Sequence, residues 1–211
     1  KTIKSNNLES RTENYYVNSS DRMNYIFNSK IEGLEESDLI LLIGTNPRKE
    51  ATILNLRIRE AYLKNKTPIF SIGDPGDLTY PYKLLENNTN TIKDIIENKH
   101  DLSNKIINAK KPIIIFGQSF LKIKSSPYIF EELKKFLIKC NKINKDWNSL
   151  NVLSSNSSTV GSYDLDILSS KNGKNITLEK IKNNQFKIIF LFGQDNLKFK
   201  KSNEFIIYIG S

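Results

Sequence analysis

The sequence predicts an α/β protein with a doubly wound, mainly parallel sheet flanked by helices (Rossmann-type). Three observations predict it. Five short runs, at residues 38–43, 68–72, 112–116, 187–192 and 205–209, are leucine-rich, β-branched or aromatic and are apolar at successive positions. Strands buried on both faces read this way, whereas a half-exposed strand alternates. Each run is followed at once by a glycine: Gly44, Gly73, Gly117, Gly193 and Gly210. Glycine lets the backbone turn sharply where a strand hands over to a loop. Between the runs lie segments with helical spacing, and strand–helix–strand repetition implies right-handed crossovers.

In order along the chain, residues 1–30 are rich in Asn and Ser with little periodicity, and predict an extended or irregular polar arm. Residues 31–211 read as one α/β domain. Asn46-Pro47 is a helix start, because Asn can cap free N–H groups and Pro suits the first helical position. Ile53, Leu54, Ile58, Ala61 and Tyr62 would then form its buried face. Asn65 and Pro68 close that helix. Short helices are predicted at 91–97 and 102–109, a longer one at 128–139 and a short one at 176–182. Trp147, Leu150 and Leu153 suggest a further helix in the Ser- and Asn-rich stretch 141–175.

Composition removes several classes of function. The chain has 211 residues, a net charge of +9, one Cys and one His. Its 29 Ile against three Val and three Ala, and 27 Lys against five Arg, follow A/T-rich codons, so the charge is scattered Lys without a compact basic block. Nucleic acid is therefore not expected as a partner. No apolar run approaches the ~20 residues of a membrane span. Cys140 alone cannot build a zinc or iron–sulfur site, and His100 sits in a polar stretch unsuited to a triad. The chain begins at Lys1 with its first Met at position 23, which suggests a processed or trimmed start.

Open α/β sheets bind ligands beyond the carboxyl ends of their strands. The turn Gly44-Thr45-Asn46-Pro47-Arg48 could hold a phosphate through backbone N–H groups, with Arg48 adding charge. The same letters also describe a capped helix with a surface Arg. Asp74 and Asp77 could hold a divalent cation or could simply form an Asp-Pro-Gly turn. Gln118-Ser119, Gln194-Asp195 and the Asp164/Asp166 pair offer no nucleophile–base set. No catalytic residue and no metal ligand is therefore assigned.

The stretch 31–48, ending Ile43-Gly44-Thr45-Asn46-Pro47-Arg48, resembles the large iron–sulfur subunit of respiratory complex I (NADH:ubiquinone oxidoreductase) in its C-terminal, molybdopterin-oxidoreductase-like region. The likeness continues through Glu50-Ala51, Asn55-Leu56-Arg57-Ile58-Arg59, Ile72-Gly73, Asp77-Leu78-Thr79-Tyr80, Ala109-Lys110-Lys111-Pro112 and Asp146-Trp147-Asn148. It spans roughly residues 20–211 and is weakest over 120–185. The resemblance implies a middle piece without the family's cluster-bearing part, from a split or shortened subunit. The A/T-rich composition fits a mitochondrion-encoded gene or the genome of an A/T-rich protist. Iron–sulfur clusters would then reside in a neighbouring chain or segment, with no cofactor in this one. Gly44, Thr45, Asn46, Pro47 and Arg48 would be a vestigial turn where cofactor-carrying relatives contact a pterin dinucleotide. The expected role is a non-catalytic structural domain in the matrix arm of mitochondrial complex I, on the inner membrane, supporting assembly of the electron-transfer module. Its expected partners are other matrix-arm subunits, especially the cluster-bearing part of the same subunit. The alternative is a pterin- or nucleotide-binding module of an oxidoreductase.

Overall fold

The computed structural model describes residues 5–154, 156, 158–168, 174–195, 197, 198, 200 and 202–210. Five parallel strands form the main sheet: β1 (Leu39–Ile43), β2 (Ile69–Ile72), β3 (Lys83–Leu84), β4 (Pro112–Phe116) and β5 (Leu150–Val152). Their spatial order is β3-β2-β1-β4-β5. The chain starts at the centre, winds outward to β3, then returns across β1 to β4 and β5. The winding therefore reverses between β1 and β4, whose registers run from Leu39 opposite Pro112 to Ile43 opposite Phe116.

All five residues of β1 and of β4 are buried. Alternate side chains go to opposite faces. Leu39, Leu41, Ile43, Ile114 and Phe116 join one core, and Ile40, Leu42, Ile113 and Ile115 join the other. Two covered faces are why these runs are apolar at every position.

The first core is roofed by α3 (Thr89–Ile96), α4 (Asp101–Asn108) and α6 (Ser126–Lys139), through Ile92, Ile95, Leu102, Ile106, Phe130, Leu133, Phe136 and Leu137. The second is covered by α2 (Thr52–Asn65), through Leu54, Ile58 and Ala61. The predicted place of Ile53 on that face is corrected: Ile53 is 67 % exposed. The helix breaks at Ala51 after a four-residue α1 (Pro47–Glu50), and the restart turns Ile53, Leu56 and Leu63 outward. α2 therefore carries apolar residues on both sides.

The helix predicted from Trp147, Leu150 and Leu153 is also corrected. Trp147 lies in a tight loop where the Asn144 side chain accepts from the backbone N–H of Asp146 and Trp147, each at 2.9 Å. The chain then runs extended into β5, beside β4. Three residues with a buried Asn151 at the centre are too few to show a strand period. Short α5 (Gln118–Leu121) and α7 (Thr159–Asp164) complete this part.

After α8 (Ile176–Lys182) come β6 (Ile188–Phe192) and β7 (Phe205–Ile209). Sequence runs of this kind predict doubly buried strands of the main sheet. They form instead a separate parallel pair, and Ile188, Phe190, Phe192, Phe205, Tyr208 and Ile209 are exposed. No helix among the described residues is long and apolar enough to cross a membrane.

Residues 5–30 are irregular apart from a 3-10 turn at Arg22–Asn24. The arm is not loose. Tyr15, Val17 and Tyr25 are buried in the first core. Tyr16 N–H donates to Leu121 O at 2.7 Å, Lys134 pairs with Asp21 at 2.6 Å, and Arg22 grips Asp164 through two bonds of 3.0 and 3.1 Å. Tyr25 stacks on Tyr163 with ring centres 4.8 Å apart.

Candidate functional site

The reversal of winding places the carboxyl ends of β1 and β4 side by side, where a sheet of this kind opens a ligand crevice. Here the two loops close on each other. Gly44 adopts φ +57°, and a Cβ there would stand 2.7 Å from the Phe120 amide nitrogen. A Cβ on Gly117 would stand 2.3 Å from Thr45 Cβ and 2.4 Å from Gly44 O. Glycine is needed at both positions because one loop backbone lies directly against the other.

The side chains of the turn are already engaged. The Glu50 carboxylate accepts from the Thr45 hydroxyl and from the Asn46 N–H, each at 2.9 Å. Asn46 Oδ1 caps α1 by accepting from Lys49 N–H at 3.1 Å, and its Nδ2 donates to Pro75 O at 2.5 Å. Pro47 is buried as the first helical residue. Arg48 donates to the Asp77 carboxylate at 2.5 Å and to Asp77 O at 3.1 Å. A helix N-terminus attracts anions through its free N–H groups and dipole. In this turn the anion is Glu50, supplied from within α1 in the manner of a capping box.

The flank under β4 and β5 is covered by the arm, whose Tyr15, Val17 and Tyr25 border a small cavity with Gln118, Val152 and Tyr163. The Tyr15 hydroxyl donates to Gln118 Oε1 at 3.1 Å, and the Lys122 ammonium lies 5.9 Å from the Tyr15 ring centre. Glu13 pairs with Lys122 at 2.5 Å. Sequence reasoning missed this plug. Its only signal was the short run Tyr15-Tyr16-Val17 inside a polar segment.

Other candidates resolve into structural roles. Asp74 accepts from Gly76 N–H and Asp77 from Thr79 N–H, both at 2.8 Å, so the two carboxylates shape their own turn. The Thr79 amide and then Arg48 hold the Asp77 carboxyl below its ordinary pKa. His100 Nδ1 caps α4 by accepting from Leu102 N–H at 3.0 Å. Asp164 anchors the arm. Cys140 is half-buried at the end of α6, against the first core. Among the described residues no group of three or more His, Cys, Asp or Glu side chains could hold a metal ion.

The residues that carried the resemblance hold one another. Buried Asn55 accepts from the Tyr80 hydroxyl at 2.8 Å and donates to Leu78 O at 3.2 Å. Burial pushes the Tyr80 phenol up, beyond the range where it titrates in ordinary conditions. Arg57 pairs with Glu35. The Trp147 indole N–H donates to Pro112 O at 2.9 Å, and its ring lies against Gly33.

Strand order, reversal point and helix-led loops define a crevice-type α/β domain of the kind that binds nucleotide-bearing cofactors, with its crevice closed. The chain belongs to the molybdopterin oxidoreductase family, whose model matches residues 1–211. It is 40 % identical over 203 residues to the NADH-ubiquinone oxidoreductase 75 kDa subunit of Reclinomonas americana, covering 94 % of this chain and 29 % of that protein. It is 34 % identical over 192 residues to the mitochondrial NADH-ubiquinone oxidoreductase 78 kDa subunit of Candida albicans, covering 90 % and 25 %. It is 30 % identical over 208 residues to the mitochondrial NADH dehydrogenase [ubiquinone] iron-sulfur protein 1 of Solanum tuberosum, covering 98 % and 27 %. The chain thus spans between a quarter and a third of these relatives. The family name implies a molybdenum pterin group. The residues do not fit one at this crevice: the Glu50 carboxylate already takes the Asn46 N–H and the Thr45 hydroxyl, the Gly44 and Gly117 loops touch, and Tyr15 covers the flank.

Proposed function

We propose that this chain is a structural, non-catalytic part of the matrix arm of mitochondrial complex I, where it supports assembly of the electron-transfer module. In this reading residues 1–30 strap a single domain formed by 31–211. The chain carries no cofactor, and the iron–sulfur clusters lie in a neighbouring chain or segment. It works peripherally on the inner membrane, against other matrix-arm subunits and the cluster-bearing part of its own subunit.

One observation carries the reading. The crevice that would hold a cofactor is closed by the chain's own groups, and the residues that carry the resemblance to that subunit family are tied to one another within the fold. Burial of the central strands needs no ligand, so such a domain persists as scaffold after its guest is lost.

The test is a native gel of gently solubilised mitochondrial membranes, with the chain followed by antibody. Co-migration with NADH dehydrogenase activity is expected, and depletion of the chain should lower the amount of assembled complex while leaving the turnover of what remains unchanged. Migration away from that activity refutes the reading. Molybdenum, tungsten or a stoichiometric guanine dinucleotide in the purified protein would favour a pterin- or nucleotide-binding module instead.

A further inference from the structure

The β6–β7 pair has one face with no polar residue. Ile188, Phe190 and Phe192 alternate to that face and pair in register with Phe205, Ile207 and Ile209. Phe192 is 71 % and Phe205 is 66 % exposed. On the opposite face Ile189 is buried, at 8 %. Each strand pairs only with the other among the described residues, so both outer edges are open.

A parallel pair in this state is unfinished. Parallel sheets occur with both faces covered, because their crossovers lay helices on them. Here the crossover, residues 193–204, has no helix among its described residues. Two strands alone are marginal, and open edges accept further strands. An apolar patch of this kind marks a contact surface.

Charge narrows what can cover it. Lys182, Lys187, Lys198 and Lys200, next to these strands in sequence, are exposed and have no acidic partner among the described residues. A second copy would bring like charges together on a chain already at +9. The relatives are more than three times as long as the part matched, so most of such a subunit lies outside these residues.

We propose that the β6–β7 face is an interface for further α/β polypeptide of the same iron–sulfur subunit. That polypeptide lays an amphipathic helix with acidic margins on Phe190, Phe192 and Phe205, and adds a strand to an open edge. The proposal rests on the complex I reading above and names the surface that reading leaves unspecified.

The test uses the assembled complex, with benzoylphenylalanine placed at position 192 and the photo-crosslinked peptides identified by mass spectrometry. In parallel, the chain carrying Phe190→Asp and Phe192→Asp is compared with Tyr128→Asp, a control at an exposed aromatic residue on α6. The expected crosslink joins position 192 to a cysteine-poor α/β segment of the same subunit outside these residues. The double variant should lower the incorporated fraction about tenfold or more. It should keep the parent's thermal midpoint, and Tyr128→Asp should incorporate normally. A crosslink to the cysteine-rich cluster region, to another subunit or to a second copy overturns the proposal, as does no crosslink at all or undiminished incorporation of the double variant. An unmodified chain that never enters the complex removes the complex I reading, and this proposal with it.

Discussion

The carboxyl edge of the five-stranded sheet and the β6–β7 pair begin from the same letters: a short apolar run and then a glycine. They end in opposite conditions. At the sheet edge, Gly44 and Gly117 let two loops touch, Glu50 neutralises the helix start, and Tyr15 covers the flank. At β6–β7, phenylalanines face outward and, among the described residues, both edges stay open. The first region is closed by its own side chains and loop contacts. The second leaves its apolar surface for something else to cover. The contrast separates a region closed by the chain's own groups from one whose apolar surface the described residues leave uncovered.

The comparison breaks most visibly at glycine. Gly117→Ala should destabilise the chain by about 3 kcal/mol, since its Cβ has no space against Thr45 and neither neighbour is a flexible side-chain end. Gly193→Ala, at φ +54° with nothing within 4 Å of the added Cβ, should cost only about 1 kcal/mol of left-handed strain. Urea denaturation of both variants measures the difference. Equal losses would mean that the two loop ends are not distinguished by packing.

Glu50→Ala sharpens the account of the turn. Loss of the carboxylate frees the Thr45 hydroxyl and the Asn46 N–H, and should cost about 1 kcal/mol in the same assay. Phosphate should restore part of that loss if the vacated position is an anion site, and should leave the parent protein unaffected.

Acid tests how the arm is held. Arg22 first, and then the Tyr25 hydroxyl, hold the Asp164 carboxyl below its ordinary value of 3.8. Lys134 first, and then the Met23 amide, do the same for Asp21. A carboxyl lowered in the folded state contributes stability that is whole above the unfolded pKa and vanishes as pH falls through the folded one. The arm should therefore become protease-sensitive only as pH drops below 3.8. Limited digestion with an acid-active protease across that window reads it. Asp164→Asn with Asp21→Asn should bring the sensitivity to neutral pH.

The smallest effect is expected at the open face. Phe192→Ser should change the stability of the isolated chain by no more than about 0.5 kcal/mol, because the side chain is already mostly in water. A loss of several times that size would show that the face is packed within the chain.

Much of this is legible in the sequence. Runs 38–43, 68–72 and 112–116 became β1, β2 and β4, and the helix at 176–182 fell where its spacing placed it. Doubly buried strands advertise themselves because every position is apolar. β5 was not legible, since three residues around a buried, hydrogen-bonded Asn151 have no period to read. The exposure of β6 and β7 was hidden for a different reason: an apolar run states that a strand will be covered, not by which polypeptide. At the crevice, residues 44–48 were placed correctly as a turn into a helix. The group that closes it, Glu50, was visible only as a carboxylate four residues past the Asn46 cap. The Tyr15 plug depends on a contact more than a hundred residues away in sequence.

The central claim is that this crevice is complete without a guest, and native mass spectrometry of the protein purified under non-denaturing conditions tests it most directly. The account predicts the mass of the bare polypeptide, unchanged after incubation with a guanine dinucleotide. A stoichiometric added mass that survives purification and is lost on unfolding would contradict it.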